Sequence, residues 1–380
     1  MAEALLLLPA LLALAGAAWA VLAARAVRRL AARPPATVPA LPAAILKPLY
    51  GAEPGLRENL ASTLAQSHAA PFTVLAAVRD AADPAVAVAE AAFAASPGVA
   101  TLLLRDPRLH GPNRKVSQLV NLAEAAAQPV LVVADADMRM PPHWLTAVTA
   151  PLADPEIGLV TCLYRGEAAD GTVWSRLAAL GIDWQFLPSA ALGEAIGRAQ
   201  GCYGATMALR AETLERLGGF RSLAGLLADD HALGAAVRRL GLRVVVAPVL
   251  PAHVMAEPGL VALARHELRW MRTLRLLDPS GYAGMGITFP LVPGLAAAAL
   301  HPAGWAALAV ALAARLGLGV AVDRALGRRL APHRFLLLPL RDLLSFAIWA
   351  AGLARGTVVW QGRRYRMDRD GRMAEARARD

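Results

Sequence analysis

Hydrophobic and polar positions divide the chain into three stretches. The first, residues 4–24, is almost wholly apolar and long enough to cross a bilayer, which takes about 20 residues. Arg25, Arg28, Arg29 and Arg33 follow it directly. A cleavable signal carries its charge ahead of the apolar run. Here the charge comes after it. The positive-inside rule therefore predicts a retained transmembrane helix over 1–25, with the rest of the chain entering the cytoplasm. Residues 26–42 read as a Pro/Arg-rich linker, stiff from Arg33-Pro34-Pro35 to Leu41-Pro42.

The second stretch, 43–280, has a globular pattern. Short apolar runs at 43–46, 72–78, 99–104 and 130–134 alternate with helical patterns at 53–66, 83–95 and 115–127. Asp83-Pro84 supplies an N-cap and a first-turn proline for one of these helices. The alternation predicts an α/β fold with a doubly wound, largely parallel sheet. A strand at 157–163, a helix at 174–187 and a glycine loop leading into a strand over 201–210 come next. A helix at 228–240 with Asp229 and Asp230 in its first turn, a strand at 242–248 and a basic helix at 259–277 complete the region.

The third stretch, 281–356, is apolar again, with candidate segments at 286–300, 304–322 and 335–354. Arg324, Arg328, Arg329 and Arg334 precede the last segment, and Arg363, Arg364, Arg366 and Arg369 mark a basic tail over 357–380. With both clusters in the cytoplasm, the segments must cross an even number of times. Pro290 and Pro293 interrupt the first. It is expected to lie in the interface or re-enter, while the other two cross.

Composition agrees with this division. Of 380 residues, 57% are hydrophobic and 18% charged, and 39 basic residues exceed 29 acids for a formal net charge of +10. In so apolar a chain, excess arginine suits a membrane face with anionic lipids. A dense basic patch with interleaved aromatics, the mark of a nucleic-acid binder, is not found. Cys162 and Cys202 form no metal-like cluster and read as buried free thiols. His143, His231 and His253 are scattered, although His253 follows a strand and is placed to approach an acceptor.

The chemistry gathers where strands end. The run Pro129-Val130-Leu131-Val132-Val133-Ala134 stops in Asp135-Ala136-Asp137, and open α/β sheets collect ligands at the carboxyl edge of their strands. In an extended chain, residues i and i+2 point the same way, so both acids enter one crevice. Mg2+ binds through one or two carboxylates plus substrate phosphates. Lys47 and Asp80 stand at the ends of two other strands. Asp230 reads either as a catalytic acid or as a first-turn residue favoured by the helix dipole. Arg265, Arg272 and Arg275 read as a solvated or lipid-facing stripe, and Trp184 and Phe186 as core or membrane contacts.

In order, the chain holds Asp80, the Asp135/Asp137 pair, Asp229-Asp230 and His266-Glu267-Leu268-Arg269-Trp270. Around them stand Ile45-Leu46-Lys47-Pro48-Leu49-Tyr50-Gly51, Val78-Arg79-Asp80-Ala81-Ala82-Asp83-Pro84-Ala85, Gly111-Pro112-Asn113-Arg114-Lys115, Gly218-Gly219-Phe220 and Gly362-Arg363-Arg364-Tyr365-Arg366. From about residue 45 to 366 this set resembles lipid-directed glycosyltransferases of the GT-A fold. It is most similar to the ceramide glucosyltransferase family and its bacterial relatives that glycosylate hopanoids. His266 departs from the family's Q/R-x-x-R-W motif, which has Gln or Arg at that position.

The resemblance implies a GT-A domain over 43–280 and a UDP-sugar donor. It makes Asp135 and Asp137 the holders of Mg2+ or Mn2+ and the diphosphate, Asp80 a reader of uracil and ribose, and Asp230 the general base. Arg269 and Trp270 would clamp the diphosphate and shape the acceptor site, with Lys47, Asn113 and Lys115 lining the donor. Gly204, Asp229, His266 and Trp270 fall on the acceptor side. The implied reaction is inverting transfer of one sugar, N-acetylglucosamine ahead of glucose, to a hydroxyl of a membrane lipid. A hopanoid polyol is preferred and a sphingolipid is the alternative. The implied location is a bacterial inner membrane, multi-pass, with the catalytic domain cytoplasmic. The rivals are a processive polysaccharide synthase, separable by product length, and a membrane-anchored nucleotide-sugar binding protein without turnover.

Overall fold

Four parallel strands make the half of the main sheet beneath the acids. They are β1 (Ala43–Pro48), β2 (Phe72–Val78), β3 (Ala100–Arg105) and β4 (Val130–Ala134), paired in register in the order β3-β2-β1-β4. The computed structural model describes residues 2–34, 40–198, 202–354, 356–360, 363–368 and 371–375. β1 and β4 are buried along their whole length, which is why they read as continuous apolar runs. Further along the chain come β5 (Met138–Arg139), β6 (Ile157–Thr161), β7 (Arg165–Ala168), β8 (Thr206–Arg210), β9 (Arg243–Val246) and β10 (Ala252–Met255).

The main sheet runs β3-β2-β1-β4-β8-β6-β9, with β8 antiparallel to both its neighbours. Alternate strand residues feed two cores. Ile45, Val74 and Val132 meet Leu60, Ala89 and Trp144 on one face. Leu46, Leu75 and Val133 meet Leu119, Leu122 and Val237 on the other. Helices thus cover both faces, as the sequence pattern predicts. A second sheet, β5-β10-β7, was not foreseen, because two- to four-residue strands leave no period to read. Both cysteines are buried free thiols.

Two helices are long and apolar enough to cross a membrane, Leu7–Ala31 and Gly304–Ala325. The N-terminal helix runs from Ala2 to Ala31, beyond the expected 1–25, because nothing in Arg25 to Ala31 breaks it. The 26–42 linker accordingly starts later, and its residues 35–39 lie outside the described residues. The two helices run parallel. Ala13 packs near Ala307 and Ala311, and Ala20 to Leu30 pack with Leu318 and Val322. Residues 286–300 belong to the pair Pro279–Thr288 and Leu291–Leu300, bent by 58° and consistent by length with one broken span or a re-entrant loop. Gly16 makes room for the bend, since a Cβ there would stand 2.7 Å from Pro290 Cβ.

The crossing expected at 335–354 needs correction. The segment splits into Pro332–Leu336 and Leu338–Gly352, each with a proline in its first turn. The longer helix has 15 residues, about 22 Å at the usual rise, against about 30 Å of hydrocarbon. It also buries Arg341 and Asp342. Arg341 pairs with Glu267 of the helix Leu260–Leu277 at 2.6 Å, and Asp342 pairs with Arg315 at 2.6 Å. This helix therefore braces the basic helix against the span Gly304–Ala325.

The tail, read as basic and as carrying the Gly362-Arg363-Arg364-Tyr365-Arg366 motif, forms a small sheet over its described residues. β11 (Val358–Trp360), β12 (Arg363–Met367) and β13 (Met373–Glu375) form an antiparallel meander. It attaches to the globular region through Leu227 N to Gly371 O (3.1 Å) and Met373 N to Gly225 O (2.9 Å). Gly362 and Arg369 lie outside the described residues.

Candidate active site

The acid pair lies one step past the strand. β4 stops at Ala134, and Met138 N donates to Asp135 O at 3.3 Å, closing a turn rather than continuing the extended chain assumed from the sequence. Each carbonyl of the turn is held. Lys47 Nζ donates to Asp135 O (2.8 Å), Asn59 Nδ2 to Ala136 O (3.1 Å) and Val254 N to Asp137 O (2.8 Å). Lys47 is thus no lining residue. It is wholly buried beneath the turn, and burial brings its ammonium down to about 8 against the opposing field of Asp137 and Asp135.

Lys115, in the first turn of the helix Arg114–Ala125, joins the two halves of the site. Its Nζ lies 2.7 Å from Asp135 Oδ1 and 3.9 Å from Asp229 Oδ2. Burial works against its charge, but Asp135 and Asp229 outweigh that and hold its pKa well above the ordinary lysine value. Asp229 and Asp230 open the helix Asp229–Arg239, and burial raises the pKa of both despite Lys115. Asp230 Oδ2 accepts from Gly204 N at 3.0 Å, so Gly204 sits directly under this acid. The negative field of Asp135 raises Asp230 further, and Lys115 stands between Asp135 and the Asp229-Asp230 pair.

The opposite wall is aromatic and basic. Tyr164 stacks on Phe186 (centroids 4.4 Å apart) and meets His253 edge-on at 5.4 Å. His266 packs on Trp270 at 4.4 Å, and its Nδ1 lies 2.8 Å from Glu257 Oε1. Arg269, half-buried beside Trp270, is held below the usual guanidinium range by burial, against the fields of Asp137, Asp135, Tyr164 and Asp230. Tyr164 is likewise pushed up first by burial and then by Asp230 and Asp137. The Tyr164 ring and the Arg269 guanidinium thus both lie within the field of the two acid groups.

Lys115, Asp135, Asp137, Asp229, Asp230, Gly204, His266, Arg269 and Trp270 come together. Asn113 reaches the site through Asp229, and Asp80 lies exposed at the end of β2. Asn113 is fully buried. Its Oδ1 accepts from Val116 N (3.0 Å) to cap the helix, and its Nδ2 donates to Leu226 O (2.7 Å). That ties the helix to the loop before Asp229, and the amide also hydrogen-bonds the Asp229 carboxylate, working against the burial that raises that acid. Asp80 is exposed at the end of β2, where its Oδ1 accepts from Ala82 N at 2.9 Å. Among the described residues no bond joins it to the others.

Sequence reasoning missed Asn59, Tyr164 and the role of His253. His253 Nε2 lies 3.0 Å from Asp137 Oδ2. Burial opposes its charge, but Asp137 prevails and raises its pKa. His253 lowers Asp137 in turn, against burial. Arg272 and Arg275 are not a free stripe, since they donate to Thr357 O (2.6 Å) and Leu353 O (3.1 Å). Trp184 is core, while Phe186 supports Tyr164.

The donor set fits a hard divalent cation. Lys115 occupies Asp135 Oδ1 and His253 occupies Asp137 Oδ2. Asp135 Oδ2 and Asp137 Oδ1 have no partner among the described residues. Carboxylate oxygens suit Mg2+ and Mn2+. No three His, Cys, Asp or Glu side chains among the described residues group as a complete cage, so phosphate oxygens would complete the shell.

The family model described as Glycosyl transferase family 21 matches residues 6–373. Among solved structures, the mannosyltransferase PcManGT from Pyrobaculum calidifontis, in complex with GDP-Man and Mn2+, superposes with a TM-score of 0.52. Its identity is 22%, over 93% of this chain and 98% of that one. GalNAc-T7 with UDP, GalNAc and Mn2+ gives 0.40 at 11% identity, over 63% and 48% of the two chains. TarS from S. aureus gives 0.39 at 12%, over 88% and 99%. The first likeness is one of fold, the GT-A architecture of glycosyltransferases; the other two are too loose to add to it.

Proposed function

Since the chain belongs to glycosyltransferase family 21, whose members are nucleotide-sugar transferases, we propose that it moves one sugar from a UDP-sugar to a hydroxyl of a membrane lipid. N-acetylglucosamine is the preferred sugar and a hopanoid polyol the preferred acceptor. One observation carries the reading. Lys115 bridges carboxylates from distant parts of the chain, 2.7 Å from Asp135 and 3.9 Å from Asp229, the neighbour of Asp230, in a chain with two membrane-length helices.

The residues divide the work. Asp135 Oδ2 and Asp137 Oδ1 would hold Mg2+ or Mn2+, which when bound offsets the charge of the departing diphosphate. Arg269 adds a cation aimed at the same charge. Asp230 takes the proton of the acceptor hydroxyl. That oxygen attacks the anomeric carbon opposite the diphosphate, which leaves with the electron pair of the broken C–O bond. One displacement inverts the centre. Burial suits Asp230 to this task, since a carboxylate with a raised pKa is a stronger base.

The tail meander rests on the loop before Asp229, so it lies on the same side as the site. An even number of crossings then separates Leu277 from Val358. Gly304–Ala325 supplies one, and the bent pair Pro279–Thr288 with Leu291–Leu300 supplies the other. The site faces the cytoplasm of a bacterial cell, beside the inner membrane, by the arginines at the ends of both long helices.

Lipid mass spectrometry of a host with and without the chain tests the proposal, together with the purified full chain given UDP-GlcNAc or UDP-glucose and a hopanoid polyol or ceramide. A mass gain of one N-acetylhexosamine on the hopanoid is expected. A gain only on ceramide moves the acceptor assignment to sphingolipid. A sugar polymer, or glycolipid unchanged by Asp230→Asn, overturns the reading.

A further inference from the structure

A basic cavity lies behind β7. Strand residues alternate between faces. Tyr164, just before β7, faces the acid crevice, and Arg165 turns the other way into a cavity of about 230 Å3. Arg176, Arg328, His333 and Arg334 also line it, with Glu167 as the one acid on its wall. Three elements meet there: β7, the helix Val173–Gly181, and the loop and short helix that follow Gly304–Ala325.

The charges are arranged for an anion. Glu167 is shared by Arg139 and Arg165. The fully buried Asp183 is shared by Arg328 and Arg334, and also accepts from Gly166 N at 2.8 Å. Asp323, also buried, takes a further bond from Arg334. These acids lock the arginines in place without using all their donors. Arg328 Nε and Arg334 Nη1 have no acceptor, and Arg176 and His333 no anionic partner, among the described residues. A preorganised guanidinium cluster of this kind matches phosphate oxygens.

The neighbouring chain points to the source of the phosphate. Arg328, His333, Arg334 and Leu337 of its lining come just past the end of a membrane-length helix, and the same stretch of chain carries exposed leucines. Leu330 is 43% exposed, Leu336 80% and Leu340 48%. Apolar side chains beside a basic cavity at a helix end fit the headgroup layer of a bilayer, where basic pockets bind anionic lipids.

We propose that this cavity binds the phosphate group of an anionic bilayer phospholipid, at a site separate from the donor crevice. The proposal rests on the membrane placement of Gly304–Ala325 and is independent of which sugar or acceptor is used. Binding there would brace β7, which pairs with β10 through Gly166 and His253, and so steady His253 against Asp137.

The test is native mass spectrometry of the full chain in detergent, titrated with phosphatidylglycerol, phosphatidylcholine or inorganic phosphate. The parent chain should take one phosphatidylglycerol saturably. Arg176→Glu with His333→Gln should weaken that step about tenfold. Neither residue takes part in the buried ion pairs, so the variant should fold, and unchanged turnover in detergent verifies this. Asp137→Asn should bind the lipid as the parent does, which separates this site from the donor crevice even if the proposed reaction proves wrong. Equal binding by parent and variant, or by phosphatidylcholine and phosphatidylglycerol, overturns the proposal. Displacement of the lipid by millimolar phosphate from the parent alone would assign the cavity to free phosphate and overturn the lipid.

Discussion

Gly204 N donates to Asp230 Oδ2 at 3.0 Å, and a Cβ on Gly204 would stand 2.9 Å from that same oxygen. The backbone both holds the acid and leaves room for nothing larger than hydrogen. Gly204→Ala must push Asp230 aside. Since a displacement near 1 Å can cost about 100-fold in rate, kcat should fall by about that factor. The thermal unfolding midpoint should move little. Unchanged kcat in a donor-saturated assay would remove Asp230 from the chemistry.

Asp230→Asn should lower kcat by about 100- to 10,000-fold, the range for losing a general base, with UDP binding retained. The parent's rate should fall on the acid side at a pH above the ordinary carboxylate value of 3.8, because burial raises this group and its ionised form is the base. Stability runs the other way. The folded chain holds this proton more tightly than the unfolded chain does, so stability is full at low pH and is lost as pH rises through the folded value. Metal-free Asp230→Asn should therefore outlast the parent in thermal unfolding at about pH 8 and match it near pH 4. A variant less stable than the parent at the higher pH would contradict the raised value.

Chelation with EDTA should abolish transfer, and Mg2+ or Mn2+ should restore it. Asp137→Asn should need much more cation for half-maximal rate, because one of two unpartnered carboxylate oxygens is gone. Full activity in EDTA would sink the cation assignment.

Arg341 and Glu267 are buried and pair at 2.6 Å. Breaking a buried pair on one side costs about 3–5 kcal/mol, whereas replacing both partners by apolar residues costs far less. Arg341→Met should lower the unfolding midpoint sharply in detergent, and Arg341→Met with Glu267→Leu should recover most of the loss. Additive losses would show that the pair is not coupled.

Removal of the tail after Gly356 should leave a membrane-bound chain with reduced transfer. The meander holds Gly225 and Leu227, directly ahead of Asp229. A truncated chain with parental kcat would show that the loop keeps its shape alone.

Much of the fold was legible locally. The strand at Phe72–Val78 matches its predicted bounds, because a short buried β-branched run carries its own signal. The Asp135/Asp137 pair stood out only in company, since this spacing alone more often caps a helix or turn, and the ordered set of motifs around it made it a candidate. The small sheet was not legible, nor was the tail meander, because their strands are too short to show a period. Lys47 and Asn113 illustrate a different failure. Their positions in motifs mark them as important, but residue type does not tell a ligand-facing amine or amide from one that ties a loop from below.

The membrane segments divide along the same line. Composition alone picked out the two long apolar helices, because hydrophobic length is a property of the chain. The order of chemistry-bearing residues and the covering of both sheet faces were also written in the sequence, through residue type and local periodicity. Only the folded chain decided that Lys115 would sit between Asp135 and Asp229, that His253 would reach Asp137, and that Arg341 would turn the last apolar segment into a brace. Those outcomes depend on distances between residues far apart in sequence, which side-chain packing and paired charges set only once the elements have met.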